Sequence, residues 1–192
     1  MILHKYDDAL VAEIAEHYKK IIELIGENPE REGLKKTPIR AAKALLDVTR
    51  GYKESASGII KSAIFEHAGS NIVIVKDIEF YSLCEHHLLP FFGTISIGYI
   101  PDGKIVGLSK LARLVNSLAR RFQVQERLTV EVCNEVLAIL GAKGVIVKCN
   151  AQHLCMKMRG VEKQDSSTTT FHCAGLFADN ADLRRDFFES LS

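Results

Sequence analysis

Apolar residues recur every three or four positions over 9–25, where Val11, Ile14, Tyr18, Ile21, Ile22 and Ile25 fall on one helical face. Asp7 or Asp8 can cap its start, and Gly26 with Glu27-Asn28-Pro29 ends it in a turn. Thr37-Pro38 opens a second helix, with Thr as N-cap and Pro at the first helical position, where no N–H is needed. Ala41, Leu45 and Val48 form its inner stripe, and Gly51 ends it. Residues 52–70 have mixed polarity and no clear period, which predicts part helix and part loop.

From Asn71 the pattern turns to β-formers: Ile72-Val73-Ile74-Val75, Ile78-Glu79-Phe80-Tyr81, then a long run from Phe92 to Ile100. Pro101-Asp102-Gly103 is a turn before Lys104-Ile105-Val106, so the pairing there is antiparallel. Two helices follow. Ser109 caps the first, which buries Leu111, Leu114, Val115 and Leu118; the second spans about 129–140, buries Val132 and Val136, and stops at Gly141. Strands return at 144–149 and 168–172, and an amphipathic segment over 183–191 closes the chain. Helices, strands, helices, strands in that order predict an α+β fold, an antiparallel sheet with helices on one face and an N-terminal helical extension. The expected division is 1–52 for the helical extension and 53–192 for the sheet domain.

Composition narrows the function classes. Of 192 residues, 47% are hydrophobic and 26% charged, which supports a packed core. Twenty-five Lys and Arg stand against 24 Asp and Glu, a net charge of +1, so no general field favours nucleic acid or anionic lipid. No apolar run approaches the roughly 20 residues that span a bilayer, and the first residues show no secretory h-region. The reading is a cytoplasmic protein with no nucleic-acid or membrane partner. The five cysteines are odd in number and unevenly spaced, which argues for metal binding or burial over a disulfide framework.

Two short segments gather reactive side chains: Cys84-Glu85-His86-His87, and His153-Leu154-Cys155. Cys84 and His87 can converge from one tight turn, and His153 and Cys155 share a face if the chain is extended. Thiolates with imidazole favour Zn²⁺ over Mg²⁺ or Ca²⁺. Too many donors are present for a closed structural site; three ligands with an open fourth position is the catalytic arrangement. Cys84, His87 and Cys155 are the expected ligands, leaving His86 and His153 beside the metal as acid–base groups. Cys133, Cys149, His4, His17 and His67 read as packing or solvated groups. Ser109-Lys110-Leu111-Ala112-Arg113 opens a helix, an ordinary N-cap with basic residues or, with Arg159, an anion site. Glu126, in Gln123-Val124-Gln125-Glu126-Arg127, reads as a solvated carboxylate unless a ligand offers two parallel N–H donors, as a guanine edge does.

Four segments in register carry a resemblance: Ser82–Pro90, Gly107–Arg113, Gln123–Thr129 and His153–Val161, with weaker matches at Arg31–Leu34, Thr37–Arg40 and Gly175–Phe177. From about Pro29 onward the chain resembles the zinc-dependent GTP cyclohydrolase I family. The resemblance implies the tunnelling fold, in which subunits join sheet edge to sheet edge in pentamers that pair as a homodecamer with active sites at subunit interfaces. It implies Zn²⁺ on Cys84, His87 and Cys155. It places acid–base work on His86 and His153, with Ser109 and Gln125 as further catalytic residues. It puts the guanine on Glu126 and the triphosphate on Ser109, Lys110, Arg113, Arg159 and Arg40. The implied reaction is hydrolytic opening of the imidazole ring of GTP at C8, loss of formate and rearrangement to 7,8-dihydroneopterin triphosphate, the first step of tetrahydrofolate and pterin synthesis. Asn150-Ala151-Gln152, where the family carries an acidic residue before the histidine, and Phe171-His172-Cys173 depart from its pattern. The rival expectations are a non-catalytic pterin- or nucleotide-binding module with structural zinc, and another tunnelling-fold enzyme acting on a pterin or 7-deazapurine.

Overall fold

A computed structural model describes residues 6–160, 162 and 164–192. Val161, which ends the last matching segment, and residues 1–5, read above for a leader, lie outside the described residues. The chain forms two compact units, one ending at Arg50 and the other running Gly51–Ser192.

The first unit is a helical hairpin of α1 (Asp8–Leu24) and α2 (Thr37–Val48). The Asp7 carboxylate accepts the N–H groups of Ala9 and Leu10, the expected cap. Val11, Ala15 and Ala42 are its buried contact, and the Tyr6 hydroxyl donates to Asp47 at 3.2 Å. Pro38 stands in the first turn of α2, but Lys36 rather than Thr37 is the capping position, and no side chain caps it.

A 3₁₀ turn, Arg50–Lys53, spans the boundary between the units, and α3 (Ala56–Lys61) follows in the second. Its strands are β1 (Ile64–Glu66), β2 (Val73–Cys84), β3 (Pro90–Ile100), β4 (Lys104–Val106), β5 (Phe122–Gln123), β6 (Gly144–His153) and β7 (Thr168–Gly175). The helices between and after them are α4 (Leu108–Ala119), α5 (Gln125–Leu140), α6 (Leu154–Lys157), α7 (Leu176–Asp179) and α8 (Ala181–Ser190). The main sheet has the order β5-β2-β3-β6-β7, antiparallel except for the parallel contact of β5 with β2. Contrary to the pairing expected across Pro101–Gly103, β4 does not join β3, whose two edges are taken by β2 and β6, but pairs antiparallel with β1 in a separate ribbon. Helices α3, α4 and α5 cover one face, burying Ile60, Leu111, Leu114, Val115, Leu128, Val132 and Val136 on Phe80, Phe91, Ile95, Ile97, Val145 and Val147. The α+β reading, antiparallel sheet with helices, therefore holds.

Two features add to it. The closing amphipathic segment is α8, which covers one end of the opposite sheet face: Phe187 and Phe177 pack there with Ile100 and Ile146. Gly98 makes this approach possible, because a Cβ there would stand 2.7 Å from the Phe187 ring. The other feature is a bulge in β2. Val75 pairs with Ile97 and Ile78 with Ile95, so Lys76 and Asp77 face one residue, Ser96, on β3. Asp77 adopts a positive φ of 54° and its N–H donates to the Ser96 hydroxyl at 3.2 Å. Val73 and Val75 face the helices before the bulge; Ile78, Phe80 and Cys84 face them after it. Alternation without the extra residue would turn Leu83 inward in place of Cys84.

Truncating Phe187 to Ala should remove the anchor of α8. The side chain is fully buried, and such losses cost about 3–5 kcal/mol. The expected outcome is a lower denaturant midpoint; an unchanged midpoint would show that α8 adds nothing to the sheet.

Candidate active site

The site forms where β2, β3 and β6 end together. Ser82 pairs with Phe91, and Phe91 with His153, so the three stand in a row on the helix-facing side. Cys84 lies two residues past Ser82. The next residues make a tight turn: the Leu88 N–H donates to the Cys84 carbonyl at 2.8 Å, and the Cys84 N–H to the Leu89 carbonyl at 2.9 Å. Leu88 takes a positive φ of 54° to complete it. On the other side, β6 ends at His153 and passes directly into α6, which swings Cys155 back toward Cys84. This corrects the extended-chain rationale for His153 and Cys155: a strand-to-helix corner, not an extended run, brings them together.

The ligand atoms of Cys84, His153 and Cys155 all lie within 4.8 Å of one another. His86 joins them through Nδ1, 3.7 Å from the Cys84 sulfur. His87 is exposed on the turn, its ring centroid 6.5 Å from that of His86, and it stands outside the three-residue group. The structure thus joins two of the three expected ligands, Cys84 and Cys155, and adds His153 to them. Burial raises the Cys155 thiol above its ordinary value, and nearby Cys84 adds to the rise, while Arg159 acts the other way. Two converging sulfurs with an imidazole make a soft donor set that fits Zn²⁺, whose binding would displace the thiol protons.

His153 is oriented by two contacts. Its ring stacks parallel on Phe91 with centroids 4.8 Å apart, and its Nε2 stands 2.8 Å from Gln125 Oε1. The Gln125 amide nitrogen donates to the carbonyls of Thr168 at 2.9 Å and Cys149 at 3.2 Å. Carbonyls only accept, so the amide cannot turn over, and its oxygen must face the histidine. His153 therefore carries its proton on Nε2 and presents Nδ1 as the free atom. Burial lowers the His153 pKa below the ordinary imidazole value, with Glu126 pulling it back up. Glu126 is exposed in the first turn of α5, whose start no side chain caps.

The other expected residues lie on exposed surfaces. Ser109 and Arg113 are exposed on α4 and Lys110 is half-buried there. Gly107, not Ser109, is the capping residue, so the Ser109 hydroxyl is not engaged as the cap. Arg159 is exposed after α6, close enough to Cys155 to act on its thiol. Arg40 belongs to α2 of the first unit and is exposed. Sequence reasoning missed Phe91, Gln123, Glu85 and Arg127, which support the site through strand pairing and side-chain contacts that no linear spacing reports.

The model of the GTP cyclohydrolase I family matches residues 14–192. The chain belongs to the GTP cyclohydrolase I family. It is 50% identical over 172 residues to GTP cyclohydrolase 1 of Alkalilimnicola ehrlichii, covering 90% of this chain and 93% of that protein. It is 52% identical over 174 residues to GTP cyclohydrolase 1 of Porphyromonas gingivalis, covering 91% and 90%. Among solved structures, the apo form of an archaeosine synthase QueF-Like protein is similar at 20% identity and a TM-score of 0.43, over 57% of this chain and 97% of that one.

The remaining cysteines separate from the site by reactivity. Burial pushes the thiols of Cys133 and Cys149 up to about 12, so neither forms thiolate near neutrality. Iodoacetamide at pH 8 should leave both unmodified in the native protein and label all five cysteines in urea. Labelling of either in the native state would overturn their reading as packing residues.

Proposed function

We propose that the chain hydrolyses GTP at C8 of the guanine ring, releases formate and yields 7,8-dihydroneopterin triphosphate, the activity of its family. The observation that carries this reading is the convergence of Cys84, Cys155 and His153, with His86 at its edge and Glu126 beside it. Cys84, Cys155 and His87 hold Zn²⁺ in this reading. When bound, the ion lowers the pKa of water to about 7 and so supplies a nucleophile at neutral pH.

The protein's own groups then divide the work. Glu126 accepts the paired N–H donors of the guanine edge, which adenine lacks. Lys110, Arg113 and Arg159 bind the triphosphate, whose remote binding energy positions the base. Nδ1 of His153 accepts the proton released by the water that adds to C8 and passes it to N7 as the C8–N bond breaks, while Gln125 holds the opposite nitrogen. A second hydrolysis frees C8 as formate. His86 assists opening of the ribose, Ser109 the proton transfers of the rearrangement, and the new ring then closes.

A second reading of the ligand set has its own support. His153 stands within the sulfur group and donates Nε2–H to Gln125, as a metal-bound histidine commonly donates its other ring nitrogen. In that case His87 is the free imidazole.

The assembly belongs to the proposal as well. A homodecamer of two pentamers with interfacial sites accords with the outer edge of β7, which pairs with no strand among the described residues. The cytoplasm suits five free cysteines, and no described helix is long and apolar enough to cross a membrane.

Replacing Cys84 with Ser should abolish both zinc retention and formate release from GTP; turnover by a zinc-free variant would end the metal role. ATP in the same assay should yield no formate. Changing His153 or His87 singly to Ala then decides the ligand set. A His153 variant that keeps its zinc but loses ring opening by about 100-fold or more supports the acid role, whereas loss of zinc moves His153 onto the metal.

A further inference from the structure

We propose that Arg127 is a positioning residue that clamps the Cys84–His87 turn to the first turn of α5 and thereby sets how tightly the site retains its zinc. The inference rests on the metal reading above. Glu85, between Cys84 and His86, is tied down twice. Its backbone N–H donates to the Gln123 carbonyl at 3.0 Å, and its carboxylate accepts Arg127 Nη2. The same Nη2 donates to the Phe122 carbonyl at 2.9 Å, and Arg127 Nε donates to Gln123 Oε1 at 2.9 Å. Gln123 is itself buried and anchored: its amide nitrogen donates to the Leu118 carbonyl at 3.1 Å and to Glu131 at 2.8 Å.

One guanidinium therefore joins the metal-bearing turn, strand β5 and helix α5. A lone exposed ion pair contributes little, but this fork meets the Glu85 carboxylate together with two acceptors fixed by the backbone of Phe122 and the buried side chain of Gln123, a geometry that a lysine point charge cannot reproduce. The consequence is positional. Gln125 and Glu126 precede Arg127 on the same helical turn, and Cys84 precedes Glu85. Arg127 sets the Cys84 sulfur in register with the helix end that orients His153 through Gln125. Outer contacts of this kind typically change metal retention by about 10–100-fold.

The test uses Glu85→Gln, Arg127→Met and the double variant, all zinc-loaded. Zinc content of the wild type is measured first, then the rate of zinc release into the chelator pyridylazo-resorcinol, with thermal midpoints and formate release at limiting and excess zinc. The clamp predicts release about 10-fold faster in each single variant and no faster in the double variant than in the worse single one. It also predicts formate release restored by excess zinc. Wild-type release rates in zinc-loaded Glu85→Gln, or single effects that multiply in the double variant, would overturn it, whatever the thermal midpoints do. Zinc-free wild type would instead sink the metal reading, and the clamp with it. Glu85→Gln preserves size at an exposed turn, so the test stands even where Arg127→Met fails to fold.

Discussion

The extra residue in β2 governs what the sheet presents to its helices. Strand side chains alternate faces, so one inserted position reverses every residue beyond it. Before Lys76-Asp77, Val73 and Val75 face the helix-covered core; afterwards Ile78, Phe80 and Cys84 do. Asp77 sustains the irregularity with a left-handed backbone and a hydrogen bond to Ser96. Asp is one of the few side chains that tolerate that conformation. A thiol on the far face would have no histidine from β6 to meet. The chemistry at one end of the strand thus depends on a backbone detail seven residues upstream.

Packing and chemistry share the same atoms at that end. Phe91 is a core residue, edge-on to Phe80 at 5.7 Å, and also the platform on which His153 lies flat. Gln125 is a buried polar residue whose hydrogen-bonding capacity is taken up by β6, β7 and His153. A buried amide left unpaired would carry a desolvation penalty, so the fold gains from satisfying Gln125 and the histidine gains a fixed tautomer from the same contacts. Thr129 and Thr170, bonded to each other at 2.7 Å, extend this polar layer between α5 and β7.

Much of this was legible in the residues themselves. Hydrophobic periodicity located α1, α2, α4, most of α5 and α8, Gly141 takes the left-handed stop expected of it with φ 59°, and the reactive segments announced themselves by composition. Other features were not. A bulge at Lys76-Asp77 leaves no pattern in a run already rich in β-formers. The start of α5 at Gln125 rather than 129 was hidden because Gln123–Arg127 is polar, and polarity there reports inward hydrogen bonding, not a loop. The capping role expected of Ser109 went to Gly107, because backbone conformation and not residue preference decided where the turn closed. The convergence of His153 with Cys84 needed the β3–β6 register, a relation between residues about sixty positions apart.

The placement of α5 explains why these omissions cluster. Its first turn carries three consecutive polar side chains that point to different places: Gln125 inward to His153, Glu126 outward, and Arg127 across to Glu85. A helical start offers unsatisfied N–H groups and a favourable field for an acidic residue, so Glu126 sits there without cost to the helix. A sequence reader sees a polar patch and assigns it to solvent. The fold uses it as a bracket, because the helix end sends adjacent side chains to a half-buried imidazole, an open surface and a neighbouring turn at once. The Glu126 carboxylate, the His153 imidazole and the turn that carries Cys84 are thus all tied to one helix end, and a shift of that end would disturb all three.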